Sequence, residues 1–204
     1  MFENILSFSL ATIVLALSPG PDNIYVLSQS LTNGVKSGLA TTSGLITGCI
    51  LHTTLLAFGL SAIITASPKI FYGIKIFGAV YLLFLAFKVY KSDSKIPLGS
   101  NVTKKSHKKL FKQGMIMNIL NPKVMIFFLA FFPGFLWNKE GDTVFQFYVL
   151  GIVFMVVSFI VFGLIAVLAG KISNYLKSHK TVGPILKWLQ IIVFIGIAVY
   201  ILIP

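Results

Sequence analysis

The segment LSPGPDNIYVL, residues 17–27, places two prolines, a glycine and an aspartate within an otherwise apolar stretch near the start of the chain. Asp22 is a rare kind of residue in this protein, because only five of the 204 residues are acidic. A proline inside a helix lacks the backbone N–H group and clashes with the carbonyl four residues earlier. The segment therefore predicts a helix interrupted at residues 19–21, with a charged group immediately after the interruption.

The stretches around this segment are apolar enough to lie in a lipid bilayer. The chain is 56% hydrophobic and 11% charged, with a mean hydropathy of +0.92, whereas soluble domains carry about 25% charged residues. About 20 apolar residues cross the hydrocarbon core as a helix, and only helices or closed barrels satisfy their backbone hydrogen bonds there. Because the apolar runs are longer and more continuous than barrel strands, the sequence predicts an all-α integral membrane protein, with its nineteen phenylalanines facing lipid.

Six long apolar runs predict six transmembrane helices in a single transmembrane domain, residues 1–204. Short polar turns separate most of the runs, and one long hydrophilic link, residues 91–112, divides the chain into halves at 1–90 and 113–204. Each half therefore contains three spans, and the two halves have opposite orientations in the membrane. The predicted spans are residues 8–31, 40–65, 72–90, 113–136, 145–170 and 184–203.

The basic charge lies mainly in three of the links between spans. Lysine supplies all 17 basic residues, the net charge is +12, and most lysines lie in or beside the links at 32–38, 91–112 and 171–183. Six crossings place these links on one side of the membrane, and loops rich in lysine face the cytoplasm. The central link, including KKSHKK at 104–109, is therefore predicted to be cytoplasmic and close to anionic lipid, with both termini outside. This run lacks the arginine and interleaved aromatic residues that would favour nucleic-acid binding.

The second half contains a matching interruption in its first span. The segment NILNPKVMIFF, residues 118–128, contains a proline, and a shift of 101 residues places Pro21 on Pro122 and Asp22 on Lys123. Inverted repeats with discontinuous helices are typical of secondary transporters, whose substrate site lies near the middle of the membrane. The sequence therefore predicts two inverted three-helix repeats, with helix breaks in spans one and four and a site around Asp22 and Lys123.

The two charged residues at the breaks have two interpretations. A charge at membrane depth costs about 2.5–3.5 kcal/mol, so it requires a partner or water. Asp22 and Lys123 either form a structural ion pair that fixes the helix register, or bind the ammonium and carboxylate groups of an amino acid. In the second interpretation, N–H groups at a helix N-terminus assist Lys123, and the two charges pair with each other while the site is empty.

The sequences SPGPDN at 18–23 and NPK at 121–123, together with a glycine-spaced second span, resemble the LysE/RhtB family of amino-acid exporters. The resemblance covers essentially the whole chain. It implies a multi-pass protein of the bacterial inner membrane that exports amino acids such as threonine, homoserine or lysine by proton antiport. The helix-breaking positions that match the family are Pro19, Gly20, Pro21 and Pro122. The predicted substrate-binding positions are Asp22, Asn23, Asn121 and Lys123.

Proton coupling is predicted at Asp22, with His52 as a second candidate. Asp22 is expected to take up a proton when the amino acid leaves and to release it before the next one binds. Imidazole titrates near neutral pH, so His52 either carries protons as well or is a hydrogen-bonded packing residue. Asp22 also shares a helical face with Ser18, Tyr25 and Gln29. This polar stripe either lines a water-filled path or bonds to neighbouring helices.

The second span contains the motif GLITG at 44–48. Glycines four residues apart permit close packing of membrane helices. This face is therefore interpreted as a helix contact rather than a substrate contact, and it permits a homodimer.

Two other function classes remain open. An intramembrane enzyme needs a nucleophile and a base, and no spacing joins Asp22, Lys123, His52 and the scattered hydroxyl groups into such a set. An exporter of metal ions or other small solutes would need several thiols, imidazoles or carboxylates in the spans, and the chain has one cysteine, Cys49. No metal site and no cofactor are predicted. The tolerance of cells to amino-acid analogues and to metals distinguishes these classes.

Overall fold

The computed structural model describes residues 1–93, 105–138, 140–179 and 181–203. In these ranges the chain is all helical, with 88% helix and no strand. The prediction of an all-helical chain is therefore confirmed. The middle of the predicted central link, residues 94–104, lies outside the described residues.

The helices follow one another with few long connections. A π-helical segment, Leu56–Leu60, joins α3 to α4, and a second, Phe127–Phe131, follows α7 and leads into a 3₁₀ turn, Phe132–Phe135. The α-helices of the described residues are α1 Phe2–Leu17, α2 Pro21–Asn33, α3 Val35–Leu55, α4 Ser61–Ala66, α5 Pro68–Lys91, α6 His107–Ile119, α7 Pro122–Ile126, α8 Thr143–Val167, α9 Ala169–Ser178 and α10 Val182–Leu202.

Several of these segments are long and apolar enough to cross a membrane. Two further segments are bent pairs, α1 with α2 at 62° and α6 with Pro122–Phe135 at 49°. The described residues therefore contain four to six candidate spans, six when each bent pair crosses once. Both bends lie where proline interrupts the apolar sequence. The four continuous spans are Val35–Ile64, Lys69–Lys91, Thr143–Val167 and Val182–Leu202.

Several helix boundaries differ from the predicted spans, and two of these differences have a local physical reason. α6 begins at His107, before the predicted start of span four, because the Ser106 hydroxyl caps it by accepting a hydrogen bond from Lys109 N (3.4 Å). α8 ends at Val167, and the following residues form a separate amphipathic helix, α9. Mean hydropathy does not reveal α9, because the polar face of such a helix offsets its apolar face.

The segments that flank the three lysine-rich links lie at one end of the helix bundle, which we name the basic end. Lys187 Nζ, near the start of α10, donates to the Ser92 carbonyl after α5 (2.7 Å), and α2 contacts α9. At the opposite end, Asn4 Nδ2 donates to the Phe135 carbonyl (3.4 Å). The helices therefore run between these two ends.

Many phenylalanines face the protein interior, which contradicts the prediction that they face lipid. The side chains of Phe8, Phe127, Phe128 and Phe132 are at most 1% exposed, and Phe128 stacks on Phe132 with ring centroids 4.1 Å apart. Together with Phe154 they form an aromatic core between α1, the segment Pro122–Phe135 and α8. Composition does not distinguish the two environments, because lipid tails and packed side chains are similarly apolar.

The glycines of GLITG pack against α6 of the same chain, which confirms the helix-contact interpretation. A Cβ atom on Gly44 would overlap the Phe111 carbonyl of α6, and a Cβ atom on Gly114 would overlap the Thr41 carbonyl of α3. The two backbones therefore approach too closely for a larger residue at either position. Because α6 covers the glycine face of α3, that face is not available for contact with a second copy of the chain.

Replacing Gly44 with alanine is expected to destabilise the fold. The added methyl group forces α3 and α6 apart, and overpacking of this kind costs about 1–3 kcal/mol. The measurement is the melting temperature in detergent, which falls by about 2–4 °C for each kcal/mol in a chain of this size. Gly196→Ala on α10 is the matched control, because a Cβ atom there would meet nothing within 4 Å. An equal fall in both variants would contradict this explanation.

Candidate functional site at the two helix breaks

The first break removes two backbone donors from the end of α1. α1 ends at Leu17 and α2 begins at Pro21, with Gly20 in an extended conformation (φ −168°) before it. Proline has no N–H group, so Pro19 does not bond the Leu15 carbonyl and Pro21 does not bond the Leu17 carbonyl in the usual helical pattern. The end of α1 therefore offers carbonyl oxygens to other donors, although the Leu15 carbonyl also accepts a hydrogen bond from Ser18 N (3.2 Å).

Side chains supply donors to several of these carbonyls. Lys123 Nζ donates to the carbonyls of Leu15 (3.4 Å) and Ser18 (3.2 Å), and Asn23 Nδ2 donates to the carbonyl of Ala16 (2.6 Å). The C-terminal end of a helix carries a partial negative charge that favours a cation. The end of α1 thus stabilises the Lys123 ammonium group in addition to the electrostatic attraction of Asp22.

The second break is organised by Asn121. α6 ends at Ile119, and Asn121 caps α7, with its Oδ1 atom accepting a hydrogen bond from Lys123 N (3.0 Å). Its Nδ2 atom donates to Asp22 Oδ2 (2.7 Å). Because the amide oxygen is held by a backbone N–H group, the NH₂ group must face Asp22. Asn121 therefore fixes one oxygen of the Asp22 carboxylate and also starts the helix that carries Lys123.

Asp22 is almost completely buried, and its second oxygen has no partner. The residue is 7% exposed and lies in the first turn of α2, where the positive end of the helix favours an acid. Within the described residues, neither Asp22 Oδ1 nor the Ser158 hydroxyl of α8 makes a hydrogen bond. A buried polar group left unpaired costs about 1–3 kcal/mol, so binding of water or a ligand to these atoms is favoured.

The two charged groups do not bond to each other, which differs from the ion pair predicted for the empty site. Among the described residues, the Asp22 carboxylate bonds to Asn121 and the Lys123 ammonium group bonds to carbonyls of α1. Each charge is stabilised by a different helix end, so neither requires the other as its immediate partner. Both nevertheless line one cavity.

The cavity between the breaks is small. Its volume is about 30 Å³, and one water molecule needs about 10–15 Å³. The cavity therefore holds about two water molecules, and it must widen to hold an amino acid. Apolar side chains, including Phe154 and Phe162, form part of the wall. The polar part consists of Gly20, Asp22, Asn23, Cys49, Asn118, Asn121, Lys123 and Ser158, so all four predicted substrate-binding residues lie together.

Three polar residues of the cavity wall, Asn118, Ser158 and Cys49, were not predicted from the sequence to line the site. Asn118 lies just before NPK, and Ser158 is an isolated hydroxyl in the most hydrophobic span, but no spacing connects them to Asp22. Cys49 Sγ lies 3.6 Å from Asn118 Oδ1. Gly48 leaves room for Asn118, because a Cβ atom on Gly48 would lie 2.8 Å from Oδ1.

His52 lies behind Asn118. His52 Nε2 bonds to the Asn118 carbonyl at 3.2 Å, and the imidazole ring packs against Phe128 with centroids 5.4 Å apart. Because a carbonyl only accepts, Nε2 carries the hydrogen. His52 is therefore both hydrogen-bonded and packed in this structure, next to the cavity wall. Within the described ranges, no group of three or more His, Cys, Asp or Glu side chains is positioned to hold a metal ion.

The chain is similar to proteins of one family along most of its length. The LysE type translocator family matches residues 13–204, which include both breaks. The homoserine/homoserine lactone efflux protein of Salmonella typhimurium (strain LT2) is 31% identical over 179 residues, covering 88% of this chain and 86% of that protein. The leucine efflux protein of Salmonella choleraesuis (strain SC-B67) is 26% identical over 196 residues, covering 96% and 92%. No solved structure matches the chain.

Proposed function

Because this chain belongs to the LysE type translocator family, we propose that it exports amino acids, or related small zwitterions, across the bacterial inner membrane by secondary active transport. Its family and its similarity to efflux proteins identify a membrane transporter rather than an enzyme. The two relatives are named for homoserine, homoserine lactone and leucine. All three solutes carry an amino group, and homoserine and leucine also carry a carboxylate, which is closed into an ester in the lactone. The proposed site therefore recognises the ammonium group in every case and the carboxylate in the two amino acids.

One observation carries this proposal: a buried carboxylate with one fixed oxygen and one unpartnered oxygen. Asn121 holds Asp22 Oδ2, and Asp22 Oδ1 lines the cavity without a partner. A carboxylate oxygen is a strong acceptor for an ammonium group. Lys123 lines the same cavity and bonds to neutral carbonyls. In the proposed complex, the substrate carboxylate takes the place of these carbonyls as the partner of the ammonium group. Asp22 and Lys123 then bind the two ends of one amino acid.

The two halves of the chain are proposed to be inverted repeats. Each half begins with a bent span, α1 with α2 and α6 with α7. Some of the contacts between helices are consistent with a twofold relation. Corresponding helices meet as α3 with α8 and α5 with α10, and the contact of α3 with α6 corresponds to the contact of α8 with α1. A site between two such halves suits alternating access from the two sides of the membrane.

The basic end of the bundle is proposed to face the cytoplasm, because lysine-rich loops remain on that side. The central link is then cytoplasmic, and both termini lie outside. Export therefore carries the amino acid from the basic end to the opposite end.

Proton antiport is proposed to occur at Asp22. In this proposal Asp22 Oδ1 binds either the substrate ammonium group or a proton. Binding of one therefore excludes binding of the other. This competition couples the two movements without a second site. His52 is a second candidate, since its hydrogen bond to Asn118 connects it to the cavity wall.

Efflux of labelled amino acids from membrane vesicles tests the proposal. Homoserine and leucine should be exported, and dissipation of the proton gradient should stop their accumulation. N-acetyl-leucine lacks the ammonium group and leucinamide lacks the carboxylate, so each should compete about 10- to 100-fold more weakly than leucine. Export of metal ions without export of amino acids would contradict the proposal. Equal competition by both analogues would contradict the assigned roles of Asp22 and Lys123.

Asn121→Ser is expected to lower export about tenfold, because a hydrogen bond to a charged group contributes about 1.5–3 kcal/mol. Serine still caps α7, but it has no NH₂ group to hold Asp22. The measurement is the initial rate of efflux per inserted protein. Asn138→Ser is the control, since Asn138 accepts hydrogen bonds in an exposed turn. Normal export by Asn121→Ser would show that the Asp22 carboxylate needs no such support.

A further inference from the structure

Buried polar atoms without hydrogen-bond partners are concentrated around α2. Folded proteins pair the large majority of such atoms with protein groups or water. Eight of these side-chain atoms occur in the described residues, and five of the eight are Ser18 Oγ, Asp22 Oδ1, Tyr25 OH, Gln29 Nε2 and Ser30 Oγ. Ser18 precedes the break and is therefore not part of the polar stripe that was predicted on one helical face. On α2 that stripe consists of Asp22, Tyr25 and Gln29. A row of such groups on one helix forms a surface to which water can bond.

The row leads from the Asp22 cavity toward the basic end. Within α2, Asp22, Tyr25 and Gln29 lie at i, i+3 and i+7 on one face, over about 10 Å. The Tyr25 hydroxyl interacts with the side chains of Gln29 and of Gln113 on α6, although neither contact has the geometry of a full hydrogen bond. Gln113 Oε1 accepts a hydrogen bond from Lys105 Nζ (2.6 Å), just before α6 begins. Polar groups therefore extend from the cavity to the basic end.

A small apolar cluster separates the cavity from the basic end. Val26, Leu45, Phe162 and Ala166 form this cluster, which is distinct from the aromatic core, and we name it the basic-side gate. Val26 lies on α2 between the break and the basic end, and Phe162 also belongs to the cavity wall. On the opposite side, the cavity meets the much larger aromatic core. The thinner barrier therefore lies toward the basic end.

We infer that the basic-side gate admits water and the transported solute to Asp22, and that Tyr25, Gln29 and Gln113 line the path. In the open state, the unpartnered atoms of Tyr25 and Gln29 bond to water. Lys105 places a positive charge at the mouth of the path, which favours a solute that carries a carboxylate. The inference rests on the proposed function for the identity of that solute.

The single cysteine provides a test that requires no transport. Cys49 lies in the cavity wall and is 1% exposed, so its modification reports access to the site. The rate of its reaction with a small cationic methanethiosulfonate is measured in membrane vesicles of both orientations. A Cys49→Ser chain that carries Ser178→Cys, exposed on α9, identifies the vesicles that present the basic end. Cys49 should react faster from the basic end.

Two variants test the gate and the wall of the path. Phe162→Ala thins the gate and should increase the Cys49 reaction rate from the basic end about tenfold. Gln29→Leu makes the wall apolar and should decrease that rate about tenfold. Thr53→Val is the matched control, because the Thr53 hydroxyl is also buried and unpartnered but faces Gly151 at the contact of α3 with α8. It should leave the rate unchanged.

The outcomes separate this path from the proposed function. Faster reaction from the opposite end, or an unchanged rate in Phe162→Ala, overturns the path even if amino-acid export is observed. If the labelling follows the expected pattern and no amino acid is exported, the path stands and the proposed substrate class fails. If Gln29→Leu does not fold, Phe162→Ala decides the result alone.

Discussion

Asp22→Asn is expected to abolish amino-acid export while the protein remains folded and inserted. Asparagine has the size of aspartate, and its Oδ1 atom still accepts the hydrogen bond from Asn121 Nδ2. It has no charge to bind an ammonium group or a proton. Hydrogen bonds to charged groups contribute about 1.5–3 kcal/mol, so substrate binding alone should weaken about 10- to 100-fold. Loss of the exchangeable proton then prevents coupled turnover.

The measurement is efflux of labelled substrate, normalised to the amount of inserted protein. Asp142→Asn is the control, because Asp142 caps α8 through a hydrogen bond from Phe145 N (2.9 Å) and asparagine caps a helix equally well. Asp22→Glu keeps the charge and should retain part of the export. A normal rate in Asp22→Asn would remove the acid from the mechanism.

Lys123→Met is expected to reduce export about 10- to 100-fold, nearly as much as the change at Asp22. Methionine retains an apolar stem of similar length but has no ammonium group. The substrate carboxylate therefore loses its cation, and the carbonyls of Leu15 and Ser18 lose their donor. Lys123→Arg keeps the charge and should preserve part of the export. Lys88→Met changes an exposed lysine over Phe84 on α5 and serves as the control for efflux rate.

The double variant Asp22→Asn with Lys123→Met separates the two interpretations of these charges. If the charges only fix the helix register, removing both leaves no uncompensated buried charge, and the double variant should export better than either single variant. If they bind the two ends of the substrate, the double variant should be as inactive as Asp22→Asn. We expect inactivity, because each charge already has its own helix end as a partner. Recovery of export would favour the register interpretation.

Local features of the chain were predictable from the sequence, and contacts between distant segments were not. The bilayer permits few alternatives to a helix, and proline acts on its own backbone, so hydropathy and proline predicted the apolar helices and the position of the breaks, but not the amphipathic α9. The bond from Lys123 to the Leu15 carbonyl joins residues 108 positions apart. Ser158 joins the cavity only because α8 packs beside the breaks. No periodicity within a single span contains that information.

The hydrogen bonds made by Asn121 and Lys123 tether one half of the chain to the other. Asn121 holds Asp22 of α2, and Lys123 holds the end of α1, so rocking of one half against the other must break both ties. A dipolar solute offers replacement partners to Asp22 and Lys123 at once, and a proton on Asp22 removes the charge that Asn121 holds. In the proposed mechanism the halves stay locked while neither is bound, which would prevent an uncoupled leak that dissipates the ion gradient of the cell.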